Sequence, residues 1–268
     1  MATALVRADL YRETKGSGAM RQMSIHEGRR MEPASVPQRI EALRWDDIAG
    51  ALDERGWAVA GPLLTPPECE DLVATYGELA RFRSRVVMER HGFGRGEYQY
   101  FDYPLPDLVA ELRRALYPPL AGVANGWNAA LKTDAEFPPQ LDRYLARCHA
   151  AGQKRPTPLL LKYGADDFNC LHRDLYGPLV FPLQATILLS EPGRDFAGGE
   201  FLLVEQRPRA QSRAEVVPLA RGEAVIFAVH HRPARGTRGV YRVAMRHGVS
   251  RIRSGNRYAL GIIFHDAA

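Results

Sequence analysis

From about residue 156 onward the chain is broken into short runs that only strands can use. Apolar or β-branched stretches fall at 159–163, 179–189, 200–205, 214–217, 223–229, 240–245, 249–253 and 258–264. Gly193, Gly198-Gly199, Arg221-Gly222 and Ser254-Gly255 separate several of them. Short runs at regular spacing with glycine punctuation predict an all-β sandwich or barrel. No repeat of fixed period is present, and no GxGxxG or P-loop follows a run, so the signature of a nucleotide-binding α/β sheet is missing.

The preceding sequence has a different rhythm. Residues 1–38 contain GSG, EGRR and two prolines without an apolar period, and are expected to form a flexible N-terminal arm. Trp45–Arg55 predicts a helix, with Ile48 and Leu52 four apart and acids in its first turn. Gly56 closes that helix, and a short strand is expected over Trp57–Leu64. Thr65-Pro66-Pro67-Glu68 then reads as a capping box with proline at the first helical position. Phe82–Tyr103 interleaves arginines with apolar residues before FGRGEYQYF, which predicts strands around a glycine turn. Helices are expected over 106–132 and 138–151. The reading is thus a helical, α+β support region over 39–155 and a β core over 156–268: mainly β with α support, the helices packed on one face.

Composition excludes several classes. Of 268 residues 46% are hydrophobic, enough for a real core, so wholesale disorder is ruled out. No apolar run approaches the roughly 18 residues a membrane helix needs. The opening MATALVRADLYRETKG carries charge where a secretory leader would be apolar. Cys69, Cys148 and Cys170 include no CxxC, so neither a disulfide framework nor a cysteine-rich zinc site is implied. A soluble cytoplasmic protein with no membrane contact is the expectation. The net charge of +5 comes from arginine clusters over 21–30, 81–95 and 232–257. Such clusters suit a polyanionic partner or simply solvate the surface.

The chemistry concentrates in Leu171–Asp174, LHRD. On an extended strand, residues two apart point to the same face, so His172 and Asp174 offer an imidazole and a carboxylate side by side. A third ligand from another strand would complete a 2-His-1-carboxylate triad, the arrangement that leaves open positions on non-haem Fe(II). His247 lies in HGVSRIRSGNRYALGIIF, between expected strands, and Arg257 follows ten residues later beyond the Ser254-Gly255 turn. A hairpin there would swing the guanidinium back toward the metal, where its fork suits a carboxylate.

HxD, Gly198-Gly199-Glu200, PLARGEAVIF at Pro218–Phe227, His247 and Arg257 together resemble the 2-oxoglutarate/Fe(II) oxygenases of the prolyl 4-hydroxylase-like group. The resemblance covers about residues 156–266 and implies a double-stranded β-helix (jelly-roll) core. It implies that His172, Asp174 and His247 hold iron and that Arg257 binds the distal carboxylate of 2-oxoglutarate. Tyr163 stands where many relatives place a hydroxyl near that co-substrate. The implied cofactors are Fe(II), 2-oxoglutarate and O2, with ascorbate as a stimulant; the products are succinate and CO2. Asp174 is retained where halogenating relatives lose the carboxylate, so hydroxylation or oxidative demethylation is implied. The chain also resembles a bacterial oxygenase family whose C-terminal end reads RHGVS, then SG, then LGIIFHDA.

Other residues compete for roles. His230 and His231 sit in a basic stretch before His247 and are rival ligands, which we place instead at the entrance. His91, between glycines, suits a loop over the site. Arg81–Arg95 with Phe82, Phe93, Tyr98 and Tyr100 suits single-stranded nucleic acid by charge and stacking. Leu183–Leu189 is expected to line the cavity, Cys170 to be a small buried residue, and His265-Asp266 to be a pair supporting the site or lying on the surface. The substrate is a protein, a nucleobase or a small molecule, and analogy with the prolyl hydroxylase-like group favours a protein or peptide. The alternative reading is a non-catalytic jelly-roll module that binds nucleic acid through its arginines.

Overall fold

The structure, a computed structural model, describes residues 34–237 and 239–268. Its helices are α1 (Val36–Glu41), α2 (Trp45–Arg55), α3 (Pro66–Ala74), α4 (Asp107–Ala130) and α5 (Leu141–Ala150). The strands of the first half are β1 (Trp57–Ala60), β2 (Phe82–Val87), β3 (Gly94–Arg95) and β4 (Glu97–Phe101). Then come β5 (Leu159–Tyr163), β6 (Phe168–His172), β7 (Leu183–Leu188), β8 (Phe196–Gly198), β9 (Phe201–Gln206) and β10 (Arg213–Val217). The last are β11 (Ala224–Ala228), β12 (His231–Gly236), β13 (Gly239–Val249), β14 (Ile252–Gly255) and β15 (Arg257–Ile263).

Two antiparallel sheets face each other. The larger runs β1-β11-β7-β15-β5-β4-β2; the smaller runs β10-β9-β13-β6-β3, with β12 also paired to β13. This is the jelly-roll arrangement expected from the sequence. Three strands from the support region, β1, β2 and β4, extend the large sheet. Central strands of that sheet are buried on both faces: every residue of β7 and β11 is buried. Aromatic contacts bridge the sheets, Phe201 to Phe227 at 5.0 Å and Phe227 to His247 at 4.6 Å.

Helix α4 covers the outer face of the large sheet. Val109, Leu112, Leu116, Leu120 and Ala124 recur at helical spacing and are all buried. Each fully buried leucine contributes about 1.5–3 kcal/mol relative to exposure. Arg113 shares this buried face because its charge is met: Nη2 donates to Asp266 Oδ1 at 2.8 Å and Nε to the Ile263 carbonyl at 2.9 Å. Tyr103 OH and His149 Nε2 complete the shell of Asp266 at 2.9 and 2.8 Å. His265 and Asp266 are therefore fully buried rather than a surface pair.

Three local differences from the sequence reading have clear causes. Helix α1 begins at Val36, inside the span read as an arm; the rest of that arm, residues 1–33, lies outside the described residues. Ser35 and Gln38 form a reciprocal capping box, which starts a helix too short to show a period. Residues 231–236, polar enough to read as a loop, form β12 because Arg232 reaches Glu205 on β9 in a buried ion pair. Finally, β13 and β15 form no hairpin. After β13 the chain crosses between sheets, and β15 pairs with β5 and β7.

Candidate active site

His172 ends β6 and His247 lies on β13, and the two are directly paired in register. Side chains of facing antiparallel residues project to the same side, so both imidazoles enter the space between the sheets, their rings 4.2 Å apart. Asp174 follows His172 by two and turns inward with it. Its Oδ1 lies 3.5 Å from His172 Nε2 and its Oδ2 lies 3.3 Å from His247 Nε2. One ligand atom from each of the three residues falls within 4.8 Å of the others. His230 and His231 pack against each other with tilted rings 3.6 Å apart and are not in this cluster.

The three side chains are held ready for a cation. His172 Nδ1 contacts the Cys170 carbonyl at 2.8 Å, which fixes the proton on Nδ1 and leaves the Nε2 lone pair facing inward. Tyr176 OH donates to Asp174 Oδ1 at 2.7 Å, and Gln184 Nε2 donates to Oδ2 at 2.9 Å. Burial pushes the Asp174 carboxyl up, but hydrogen bonds and charge from both histidines hold it well below the usual carboxylate range. Burial lowers His172 as well, yet Asp174 raises it above the ordinary imidazole value; His247, fully buried and repelled by His172, is lowered. Two imidazole nitrogens and one carboxylate are the donor set of a non-haem Fe(II) site. The residues fit that ion.

The triad opens into a cavity of about 180 Å³. Arg257 lines the same cavity from the large sheet, opposite Tyr163 in register. Only 2% of Arg257 is exposed, yet among the described residues its Nε has no partner and no carboxylate lies within ion-pair distance. Its guanidinium carbon lies 5.6 Å from the Tyr163 ring centre and 5.9 Å from that of Phe196. Burial lowers its pKa; Tyr163 and Glu200 only partly oppose that. A buried charge without a partner is costly, and an anion entering the cavity would supply one. Asn169 Nδ2 donates to the Tyr163 hydroxyl at 3.3 Å beside it.

The glycine pair read from the sequence makes room for this arginine. Gly199 has φ +64°, and a Cβ there would sit 2.9 Å from Arg257 Cδ and 2.2 Å from Ile252 Cδ1. Other expectations shift. On β7 the cavity is lined by Gln184 and Thr186, not by the apolar residues, which face the core. Cys170 is exposed. Of the aromatics over 82–100, Phe82 stacks on Phe101 and Tyr100 is buried, while Arg81 and Arg85 pair with Glu78 and Glu97. Phe93 alone of that group is 48% exposed, and it also lines the cavity. Sequence reasoning missed Tyr176, Gln184 and Asn169; Tyr176 and Asn169 lie within three residues of the HxD pair, which was the available signal.

A protein-family model described as "Oxygenase, catalysing oxidative methylation of damaged DNA" matches residues 96–267. The chain belongs to this oxygenase family. An uncharacterised protein found in two strains of Mycobacterium tuberculosis is 55% identical over 168 residues, covering 63% of this chain and 72% of the relative. Among solved structures, a Pseudomonas putida prolyl-4-hydroxylase aligns with TM-score 0.50 at 14% identity, covering 84% of this chain and all (100%) of that one. That likeness is one of fold, and it agrees with the jelly-roll core. No helix among the described residues is long and apolar enough to cross a membrane.

Proposed function

We propose that this oxygenase uses Fe(II) and 2-oxoglutarate to oxidise a damaged base in nucleic acid, removing an N-methyl group. The observation that carries the co-substrate is Arg257, a buried guanidinium with no acid partner, in the same cavity as the His-Asp-His cluster. His172, Asp174 and His247 would hold the iron. Bound there, iron with 2-oxoglutarate and O2 supplies an oxygen atom to a C–H bond, and the co-substrate leaves as succinate and CO2.

The chain's own residues do the rest. Arg257 binds the distal carboxylate bidentately and so fixes which end of the co-substrate reaches the metal. Tyr163 and Asn169 offer further polar contacts along it. Tyr176 and Gln184 keep Asp174 oriented through each turnover, as outer hydrogen bonds orient metal ligands. Leu159, Leu161, Val249 and Ala259 line the same cavity and keep it largely dry. The substrate class rests on the description of the family. Oxygen inserted into an N-methyl group gives a hydroxymethyl amine, which loses formaldehyde and leaves N–H, so this chemistry runs toward demethylation.

The test is an N-methylated oligonucleotide incubated with enzyme, Fe(II), 2-oxoglutarate and O2. Formaldehyde and succinate in equal amounts support the reading. Succinate formation that no methylated base stimulates would remove the substrate assignment and leave the oxygenase. The non-catalytic module predicts no succinate at all.

A further inference from the structure

Positive charge without an acid partner extends from the cavity lining at Arg173 to the exposed face of β13. Arg173 follows His172 directly and lines the cavity; its Nε donates to the Met245 carbonyl at 3.2 Å. Arg246 is its cationic neighbour. On β13, Arg242, Ala244 and Arg246 alternate with the buried Val243, Met245 and His247, so the two exposed arginines share the outer face of the small sheet. His231 pairs with Ala244 in register and joins that face, and both Arg173 and Arg242 act electrostatically on His230 and His231. Among the described residues none of the three arginines has a carboxylate within ion-pair distance. On other surfaces Arg44, Arg81, Arg194, Arg213 and Arg253 each do, while Arg90, Arg143 and Arg209 stand unpaired but away from the cavity lining. Phe93, also in the cavity lining, is exposed and stacks on His91 with ring centres 5.3 Å apart.

We propose that Arg173, Arg242 and Arg246 form a phosphate track for single-stranded nucleic acid, leading one base past Phe93 into the cavity. Two unpaired cations on the outer face of the small sheet, with a third at the cavity lining, suit the spaced phosphates of a strand that passes from that face to the cavity, and an exposed aromatic in the cavity lining offers a stacking platform for a splayed base. A single strand fits better than a duplex because its base is free to enter without unpairing. This rests on the reading of the cavity as a site for base oxidation.

Counterion release gives the expected size. Each phosphate contact to a single strand contributes about 0.7 to the slope of log affinity against log salt. Three contacts alone thus weaken binding roughly twentyfold between about 50 and 200 mM salt, and one contact roughly threefold. The experiment is fluorescence anisotropy of the full chain with a labelled, lesion-free oligothymidylate over a salt series. Wild type is compared with the double variants Arg242→Ala/Arg246→Ala and Arg242→Lys/Arg246→Lys. The alanine pair is expected to bind more weakly with a slope shallower by about 1.4, and the lysine pair to keep the wild-type slope. An unchanged slope in the alanine pair, or equal loss in the lysine pair, overturns the track. Tighter binding of a duplex through the same arginines overturns the single-strand assignment. Wild-type succinate formation on the same preparation reports separately on the oxygenase reading, so failure of one is not mistaken for failure of the other.

Discussion

Replacing Arg257 with methionine is expected to move stability and co-substrate binding in opposite directions. Methionine keeps the stem that packs beside Gly199 and removes the buried guanidinium, which has no acid partner among the described residues. The effective penalty for burying an unpaired ion is several kcal/mol. Lost contacts with the Tyr163 and Phe196 rings give back about 1–2 kcal/mol of that gain. The co-substrate-free variant should therefore be more stable by about 1–3 kcal/mol, a rise of roughly 3–10 °C in melting temperature for a chain of this size. Losing one member of a buried charged contact weakens binding by about 2–5 kcal/mol, or roughly thirtyfold to several thousandfold. Thermal melts with Mn(II), with and without 2-oxoglutarate, read both effects. At about 100 times its Kd the ligand stabilises wild type by about 2.7 kcal/mol, and the variant should show almost none of this. A variant that melts lower than wild type yet keeps the ligand-induced shift would refute the assignment, because the guanidinium would then be structural.

Three further outcomes follow from the same geometry. Gln184→Leu and Tyr176→Phe each remove one hydrogen bond from Asp174 and should weaken Co(II) binding about 10- to 100-fold in a spectroscopic titration. Gly199→Ala places a methyl against Ile252 and Arg257 at a left-handed backbone position and should lower 2-oxoglutarate affinity in the same thermal assay. His265 is fully buried and its Nδ1 accepts from the Phe181 N–H at 3.3 Å; burial first, then Arg113, pushes its pKa down to about 4 from the ordinary 6.5. Between those values the unfolded chain takes a proton that the folded chain refuses. Stability therefore falls as pH drops, by about 3 kcal/mol between about pH 7 and pH 4, and urea midpoints for His265→Gln should show a shallower decline.

The β core was legible because its strands carry their own punctuation. The seams that hold it were not. Strand β12 reads as a polar loop until Arg232 is seen to meet Glu205 on β9, a contact between residues 27 apart. The inward cluster was legible through the two-residue spacing of His172 and Asp174. Arg257 lines the cavity, but not by way of the hairpin its spacing suggests, since its strand pairs with β5 and β7. Gln184 was invisible because β7 reads as an apolar run, and a polar residue inside such a run shows its purpose only when a buried carboxylate lies opposite it. The unpaired arginines of β13 raised the same difficulty: a charge count cannot tell a paired arginine from a free one.

The most direct test is the iron-dependent conversion of 2-oxoglutarate to succinate by the purified full chain, with bound Fe(II) measured on the same samples. One Fe(II) per wild-type chain is expected, with succinate formation that requires it, and both are lost in Asp174→Ala. Asp174→Ala that still binds Fe(II) and forms succinate at the wild-type rate would contradict that expectation.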